Sequence, residues 1–576
     1  MAFINEELAR LFDEMAELLE LQGADVFRVR AYQHASRAIG GHLVDVAEMD
    51  ERSLTEIPGV GKAIAAKVRE FVSSGRMADL EDLRSQVPDG VREMLRVPGL
   101  GPKTATVLHR ELGVCSLAEL LDAIASHRVS SLKGLGAKTE ENLRKGIQRM
   151  QQLDRRTPLG VALSMAEEVM ARLAGHPAVA DMALAGSLRR MCETVGDIDL
   201  LVASPAPAEV MDAFVNLDIV ADVLAHGETK TSIVTVKGLQ VDLRVVEPGV
   251  YGAALQYFTG SKEHNVKVRE LAVKRGLKLS EYGLFETQTG RRLAAGTEAE
   301  VYARLGMAWI PPALREDTGE VEAALGGILP EVIDDDDMLG DLHVHTDRSD
   351  GIASLGDMVA VARARGLGYI AITDHAENLR MNGVSREGML AQRREIVAMN
   401  SRMSDFKVLH GAELNIGPDG ELDYDAEFLE GFDFLVASVH GQMNQSRERM
   451  TARIIRAIEH PAVNVIGHPT GRVIGRRPAY EVDLEEILRA AGRCGTAMEV
   501  NSYPDRLDLR DDHLRLARQF GVRIAISTDA HAPAHLANMR FGVATAQRGW
   551  VGRELVVNAQ PLEDVKAFAA KGRGNR

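Results

Sequence analysis

Two sets of residues in this chain have the types and spacings that hold divalent cations. In Val195-Gly196-Asp197-Ile198-Asp199-Leu200-Leu201 the two carboxylates stand two positions apart in an alternating apolar pattern. Side chains at i and i+2 share one face of a strand, so the two charges repel unless a cation lies between them. Asp242, in Leu239-Gln240-Val241-Asp242-Leu243-Arg244-Val245-Val246, is a third candidate on a second alternating strand. Three carboxylates on neighbouring strands suit two hard cations bound through oxygen, which activate an attacking hydroxyl and neutralise a departing phosphate. Upstream, Gly186-Ser187 offers backbone and hydroxyl donors to phosphate, and Arg189-Arg190 offers guanidinium forks.

The second set is dominated by histidine. From residue 341 apolar runs recur and each ends in a ligand type: DLHVHT, YIAITDH, KVLHGAELNI, FLVASVH, VNVIGHP, TAMEVNS and RIAISTDAH. His343 with His345, and Asp529 with His531, share a face by the same i, i+2 rule, and His375, Glu413, His440 and His468 are single candidates. Nitrogen and oxygen ligands without cysteine favour manganese, zinc or iron over magnesium. Asp350, in Asp347-Arg348-Ser349-Asp350-Gly351, is either a further carboxylate ligand or a turn cap.

The elements that must carry these residues follow from periodicity. Helical stretches such as LGDMVAVARARG and LEEILRAAGRCG lie between the seven apolar runs. Seven alternating strand and helix units predict a parallel, barrel-like sheet with function at the C-terminal strand ends, where the ligand types sit. Near the N-terminus three segments repeat one pattern between helical stretches: Ile57-Pro58-Gly59-Val60-Gly61, Val97-Pro98-Gly99-Leu100-Gly101 and Leu132-Lys133-Gly134-Leu135-Gly136. Glycine permits close backbone approach, and the amides opening the following helix point at an anion with the helix dipole behind them. The third copy lacks the proline.

Composition bounds the rest. The chain has 576 residues, 45% hydrophobic, 26% charged and 4% aromatic. At about 150 residues per domain this excludes one compact core. The acidic, amphipathic opening MAFINEELARLFDEM is unlike a secretory signal, and no apolar run reaches membrane-spanning length. Cys115, Cys192 and Cys494 have no paired spacing, so neither a disulfide framework nor a thiolate zinc site is supported, and a cytoplasmic location is expected. A net charge of -16 argues against an anionic partner on its face, yet it is unevenly placed. Residues 131–160 and 261–280 each carry +4, whereas residues 331–340 carry -5 after a Pro- and Gly-punctuated stretch and read as an acidic linker.

These motifs carry two family resemblances. The glycine repeats resemble helix-hairpin-helix motifs, which hold DNA backbone without reading bases. Residues 1 to about 315 resemble family X DNA polymerases through Gly-Ser-Leu-Arg-Arg from 186, Gly-Asp-Ile-Asp from 196, Val-Asp-Leu-Arg from 241 and Tyr257-Phe258-Thr259-Gly260-Ser261. That resemblance implies Asp197, Asp199 and Asp242 as catalytic, metal-binding carboxylates with Mg2+ or Mn2+. It implies Gly186, Ser187, Arg190, Arg156 and Gly196 around a nucleoside triphosphate, and Tyr257, Phe258 and Gly260 against its sugar. It brings Asn265 and Arg269 to the minor groove and puts Lys262 at the position beside the incoming base. Gly59, Gly61, Gly99, Gly101, Gly134 and Gly136 would contact DNA, and Lys67 falls where some members form a Schiff base at abasic sites, though a phosphate-contacting lysine is the alternative.

Residues 341 to about 560 resemble the PHP (polymerase and histidinol phosphatase) domain. All nine of its ligand places appear filled: His343, His345, Asp350, His375, Glu413, His440, His468, Asp529 and His531. This implies up to three Mn2+ or Zn2+ ions and water attacking a phosphoester. The expectation is thus a multidomain chain: a helical helix-hairpin-helix domain (1–80), fingers (81–157), an α+β nucleotidyltransferase palm (158–250), a thumb (251–315), the acidic linker (316–340) and a distorted seven-stranded (βα)7 PHP barrel (341–576). Its expected activity is repair synthesis on gapped or nicked DNA from deoxynucleoside triphosphates, as a monomer without a membrane, together with 3'-5' exonuclease and abasic-site endonuclease activity. The alternatives are a non-catalytic DNA-binding scaffold, or a PHP half acting as a small-molecule phosphatase.

Overall fold

The computed structural model describes residues 4–570 except 23, 41–45, 58–59, 87–90, 92–93, 95–99, 101, 133–134, 137–138, 142, 145–146, 148–155, 380–381, 475–476 and 478. Its contacts form two units: residues 1–156 with 262–267 and 316–322, and residues 157–261, 268–315 and 323–576.

The first unit is helical. Helix Ile4–Leu21 buries Leu8, Phe12, Met15 and Leu19, one apolar stripe at helical spacing. Further helices span Val26–Gly40, Glu51–Glu56, Lys62–Ser74, Ala78–Gln86, Pro102–Leu112 and Leu117–Ala125. Asp50 and Ser116 cap two of them by accepting from the amides of Ser53 and Glu119. Buried residues from Leu8 to Ile147 form a single core cluster.

The second unit begins with a five-stranded sheet in the order Asp181–Leu184, Ile198–Ala203, Gln240–Val246, Lys230–Thr235, Val220–His226. Ile198–Ala203 and Gln240–Val246 run parallel, and the other neighbours are antiparallel. Helices Leu159–Leu173 and Pro207–Val215 bury Ala162, Val169, Val210 and Phe214 against Leu200, Val202, Val241 and Leu243. On the opposite face helix Tyr251–Thr259 packs Ala254 against Leu201, and the carboxylates stand on that face toward the strand end. Beyond helix Tyr251–Thr259, strands Leu277–Ser280, Gly283–Glu286 and Arg292–Ala294 form a small antiparallel sheet.

The C-terminal part is a seven-stranded parallel sheet in sequence order: Gly340–Val344, Tyr369–Ile372, Lys407–Asn415, Phe434–Ser438, Val465–Ile466, Ala497–Asn501 and Ile524–Ser527. The amide of His345 donates to Ala530 O at 2.9 Å, so the first strand's end meets the last and the barrel nearly closes. Both faces of the strands are covered, which accounts for their unbroken apolar runs. The acidic run lies on this barrel: Ile333 is buried in its core, and Asp334 and Asp337 cap a short turn of 3-10 helix.

Palm and barrel share a core. Leu507 and Phe541 from the barrel belong to the palm's apolar cluster. Arg540 pairs with Glu167 at 2.7 Å, Arg472 with Glu193 at 2.8 Å, and Arg548 Nη1 donates to the carbonyl of Arg190 at 3.0 Å. Among the described residues no helix is long and apolar enough to cross a membrane.

Candidate active sites

In the palm, Asp199 and Asp242 are register partners on the two parallel strands, and Asp197 precedes the first of them. One oxygen from each of the three lies within 4.8 Å of the others. Burial pushes Asp199 up to about 7, and the charges of Asp197 and Asp242 add to the effect. Lys230, on the strand beside Asp242, forms an ion pair with it, and Gln240 Nε2 donates to its Oδ1 at 3.0 Å. A raised carboxylate among others fits a site for divalent cations, since an ion there would replace the proton and the lysine. Neither Lys230 nor Gln240 was singled out by motif; register across the sheet is what brings Lys230 to the site.

Gly186 opens the turn beneath these carboxylates with φ +57°, and a Cβ there would lie 2.1 Å from Asp199 Oδ2. Only glycine allows that approach. A Cβ on Gly196 would meet nothing within 4 Å. Ser187 lies half-buried in the short helix Gly186–Arg189. Arg190 Nη1 donates to the carbonyl of Thr259 at 2.6 Å, tying this helix to the Tyr257–Gly260 segment. Arg189 makes a two-pronged contact with Glu298 at 2.8 Å on each arm, and Glu298 also holds the buried Arg315 at 2.6 Å. Burial opposes ionisation of Glu298, but the two guanidinium groups prevail and hold it at about 2.

Tyr257 and Phe258 pack edge to face at 5.1 Å, with the Arg244 guanidinium 4.4 Å over the Phe258 ring. Gly260 takes φ +71° at the end of their helix. Asn265 is buried, Arg269 half-buried and Lys262 exposed. Arg156 is exposed at the end of the first unit.

In the first unit Gly61 precedes helix Lys62–Ser74, and its carbonyl accepts from the amides of Ile64 and Ala65. Gly136 does the same for Thr139 and Glu140. A Cβ on either would meet nothing within 4 Å, so the backbone is open to an approaching phosphate. Gly59, Gly99, Gly101 and Gly134 lie outside the described residues. Lys67 forms an ion pair with Asp79.

At the C-terminal ends of the barrel strands the nine expected ligands converge. Three overlapping groups have ligand atoms within 4.8 Å of one another: His345, Asp350, His375 and His531; His343, His345 and Asp529; His375, Glu413 and His440. His468 Nε2 joins them at 3.1 Å from Glu413 Oε1. Asp350 bridges His375 Nε2 at 3.2 Å and His531 Nε2 at 3.3 Å, so it faces the cluster. The buried His343 Nε2, His345 Nε2 and His375 Nδ1 make no well-aligned hydrogen bond and lie 2.9–3.5 Å from oxygens of Glu413 and Asp529, although buried polar atoms are nearly always satisfied. Imidazoles crowded against two carboxylates without regular hydrogen bonds fit cation binding. Burial disfavours the charged form of Glu413, yet His440, His343 and His375 hold it well below the usual carboxylate range.

A further layer orients these ligands. Glu499 takes His343 Nδ1 at 2.7 Å and the His468 amide at 2.6 Å, Asn415 Oδ1 takes His440 Nδ1 at 2.7 Å, and Asn501 donates to Asp529 at 3.1 Å. The run TAMEVNS contains Glu499 and Asn501, two positions apart at a strand end, which is the signal that could have assigned them.

Comparison with known proteins gives four matched regions. Residues 4–77 match a helix-hairpin-helix domain, 91–149 a helix-hairpin-helix tandem, 254–316 a DNA polymerase beta thumb and 341–503 a PHP domain. The chain is 38% identical over 566 residues, 98% of its own length and 99% of the relative, to "DNA polymerase/3'-5' exonuclease PolX" of Bacillus subtilis. Proteins named "Probable phosphatase" match over a smaller part: one of Thermoanaerobacter sp. strain X514 at 28% identity over 38% of this chain and 89% of the relative, and one of Shewanella sediminis at 27% over 41% and 96%.

Proposed function

From a chain that belongs to the PolX family of bacterial DNA polymerase/3'-5' exonucleases, we propose a repair enzyme that fills short gaps and trims 3' ends at two separate centres. It binds DNA and deoxynucleoside triphosphates, and both centres depend on divalent cations. The observation that carries the reading is the presence, in one chain, of a three-carboxylate group on the palm and a complete nine-residue histidine and carboxylate set on the barrel.

In the palm, Asp197, Asp199 and Asp242 would hold Mg2+ or Mn2+, which supply charge neutralisation at the attacking and departing oxygens. The primer 3'-hydroxyl attacks the α-phosphate in line and pyrophosphate leaves. Gly186, Ser187, Gly196, Arg190 and Arg156 orient the triphosphate. Tyr257, Phe258 and Gly260 pack the sugar and exclude a 2'-hydroxyl, and Asn265 and Arg269 touch the minor groove. Gly59, Gly61, Gly99, Gly101, Gly134 and Gly136 supply amides to the phosphate backbone of gapped or nicked duplexes. Lys67, whose amine pairs with Asp79, is read as part of that grip rather than as a Schiff-base nucleophile.

In the barrel the nine ligands would hold up to three Mn2+ or Zn2+ ions, which supply an activated water and charge neutralisation. Water adds to the terminal phosphodiester, the P–O3' bond breaks, and the released 3' oxygen takes the proton. The same centre is suited to cutting beside an abasic site. We also propose that the helix-hairpin-helix, fingers, palm, thumb and barrel segments named from the sequence are the working subdivisions, with the acidic run 331–340 part of the barrel rather than a linker, and that the chain acts as a monomer in the cytoplasm.

A labelled gapped duplex incubated with each divalent metal, with and without nucleotides, tests this. Asp242→Ala should abolish extension and spare 3' degradation; persistent extension overturns the palm assignment. His343→Ala with His345→Ala should do the reverse, and retained manganese-dependent degradation overturns the barrel assignment. The likeness of the barrel to probable phosphatases favours a second reading, hydrolysis of small phosphomonoesters. Turnover of p-nitrophenyl phosphate well above that of a DNA 3' end would select it.

A further inference from the structure

The segment after strand Ala497–Asn501 runs through Ser502, Tyr503, Pro504, Asp505, Arg506, Leu507 and Asp508 and joins the palm to the exonuclease centre within a few residues. Leu507 is 1% exposed and lies in the palm's apolar cluster. Pro504 packs on palm helix Leu159–Leu173 at Gly160, where a Cβ would fall 2.7 Å from Pro504 Cβ. Between these two anchors the side chain of Arg506 turns the other way. Its Nε lies 3.8 Å from Asp529 Oδ2, and the side chain remains 26% exposed.

The backbone around Arg506 is held on every side. Arg506 and Leu507 both donate their amides to Tyr503 O, at 2.8 and 3.2 Å, and Asp505 O accepts from Ile474 at 2.7 Å. Arg472 Nη2 spans the two domains, donating to Leu507 O at 2.6 Å and to Glu193 of the palm at 2.8 Å. Asp508 accepts from the amide and hydroxyl of Thr470, both at 2.9 Å. Leu507 itself has φ +44°, a backbone conformation that non-glycine residues adopt only when their surroundings impose it. So many restraints on one short loop fix the direction of the one long cationic side chain it presents.

We propose that Arg506 is the phosphate-binding guanidinium of the barrel centre, and that the palm sets its position by clamping Pro504 and Leu507. The centre is lined by Glu413, Asp350, Asp529 and Glu499, and a phosphodiester arriving among carboxylates needs a cation that can reach its non-bridging oxygens. A half-exposed planar fork beside Asp529 meets that need, pairing with two phosphate oxygens as charge grows on them during attack by water. The inference rests on the barrel being the exonuclease.

The test uses the full chain with Arg506→Ala, Arg506→Lys and Gly160→Ala, the last a helix-compatible change outside both centres. Four quantities are read: 3' degradation, primer extension, bound metal by mass spectrometry, and the melting shift produced by inorganic phosphate. Arg506→Ala should cut degradation about 100-fold with metal content and extension unchanged, and should abolish the phosphate-induced shift. Arg506→Lys should lose about tenfold, keeping charge without the fork. Gly160→Ala should lower degradation severalfold through the displaced Pro504 while extension holds. Wild-type degradation by Arg506→Ala, or a loss that follows reduced metal content and is repaired by excess manganese, overturns the phosphate role. An unaffected Gly160→Ala overturns the clamp. Failure of the underlying reading is distinguishable, since the unmodified protein would then degrade no 3' end while the phosphate shift still reports on Arg506.

Discussion

Asp199 and Asp242 stand side by side as register partners on parallel strands, so the sheet's own hydrogen bonding forces two carboxylates together. The cost appears in Asp199, which burial and then its neighbours push up to about 7 from 3.8. Because the folded pKa is the higher one, the penalty is absent below about 3.8, grows as pH rises, and is complete above about 7. Asp199→Asn should therefore abolish primer extension yet stabilise the metal-free protein above neutral pH, by up to about 4 kcal/mol. Urea melts in chelator from about pH 5 to about pH 9 check this, with the gain over wild type shrinking toward the acid end. Equal stability of the two proteins in alkaline solution would show that no repulsion is stored there.

Glu298 carries the opposite sign. Arg189 and Arg315 hold it at about 2 against an ordinary 4.5 despite burial, so its contribution is complete above about 4.5 and disappears as pH falls toward 2. Glu298→Gln leaves Arg315 buried with a weaker partner and should cost about 3 kcal/mol at neutral pH, the scale of breaking a buried ion pair. Extension should weaken too, because Arg189 adjoins Ser187 and Arg190. Urea midpoints at neutral and strongly acid pH provide the check: the difference between variant and wild type must narrow on acidification.

The ligand-bearing strand ends were legible because a strand's two-residue period shows directly in the sequence, as in His343 with His345 and Asp529 with His531. Gly186 was legible only as a donor for phosphate; that no other residue fits beside Asp199 follows from the pairing of strands Asp181–Leu184 and Ile198–Ala203. What escaped notice depends on partners far apart in sequence. Lys230 reaches Asp242 only through strand pairing, and Glu499 reaches His343 across 156 residues. The acidic stretch 331–340 read as a linker because its charges dominate its composition. Two of its apolar side chains, Ile333 and Met338, are nevertheless buried in the barrel core. The shared core of palm and barrel was likewise invisible, since Leu507 and Phe541 look like ordinary residues of their own domain.

Glu499 gives a prediction that separates metal affinity from chemistry. It touches His343 and the His468 amide, and a carboxylate on the far nitrogen of a ligating imidazole orients the ring and raises its basicity. Glu499→Gln should weaken metal binding about 10- to 100-fold. Degradation of a 3' end should then require more manganese but reach nearly the wild-type rate at saturation, with extension untouched. A metal titration of the reaction decides it, and a lowered maximum rate with an unchanged midpoint would refute the orienting role.

Arg548 carries the last prediction, because a barrel residue here supports a turn of the palm. Its Nη1 donates to the carbonyl of Arg190 at 3.0 Å while Nη2 pairs with Asp511 at 2.8 Å. Arg190 in turn holds Thr259 O at 2.6 Å, so one chain of contacts runs from the barrel helix Met539–Arg548 to the Tyr257–Gly260 segment. Removing the guanidinium frees the Arg190 carbonyl and strips Asp511 of its partner, at about 2 kcal/mol. If the turn is positioned from the barrel, Arg548→Ala should raise KM for nucleotide about tenfold with a smaller change in kcat, the signature of weakened ground-state binding. Arg548→Lys can keep the ion pair with Asp511 but cannot also span to the carbonyl with a fork, so it should recover stability more than KM. Steady-state kinetics set against melting temperature separate the two. Equal recovery of both by lysine would mean that Arg548 matters to the palm only as a prop for folding.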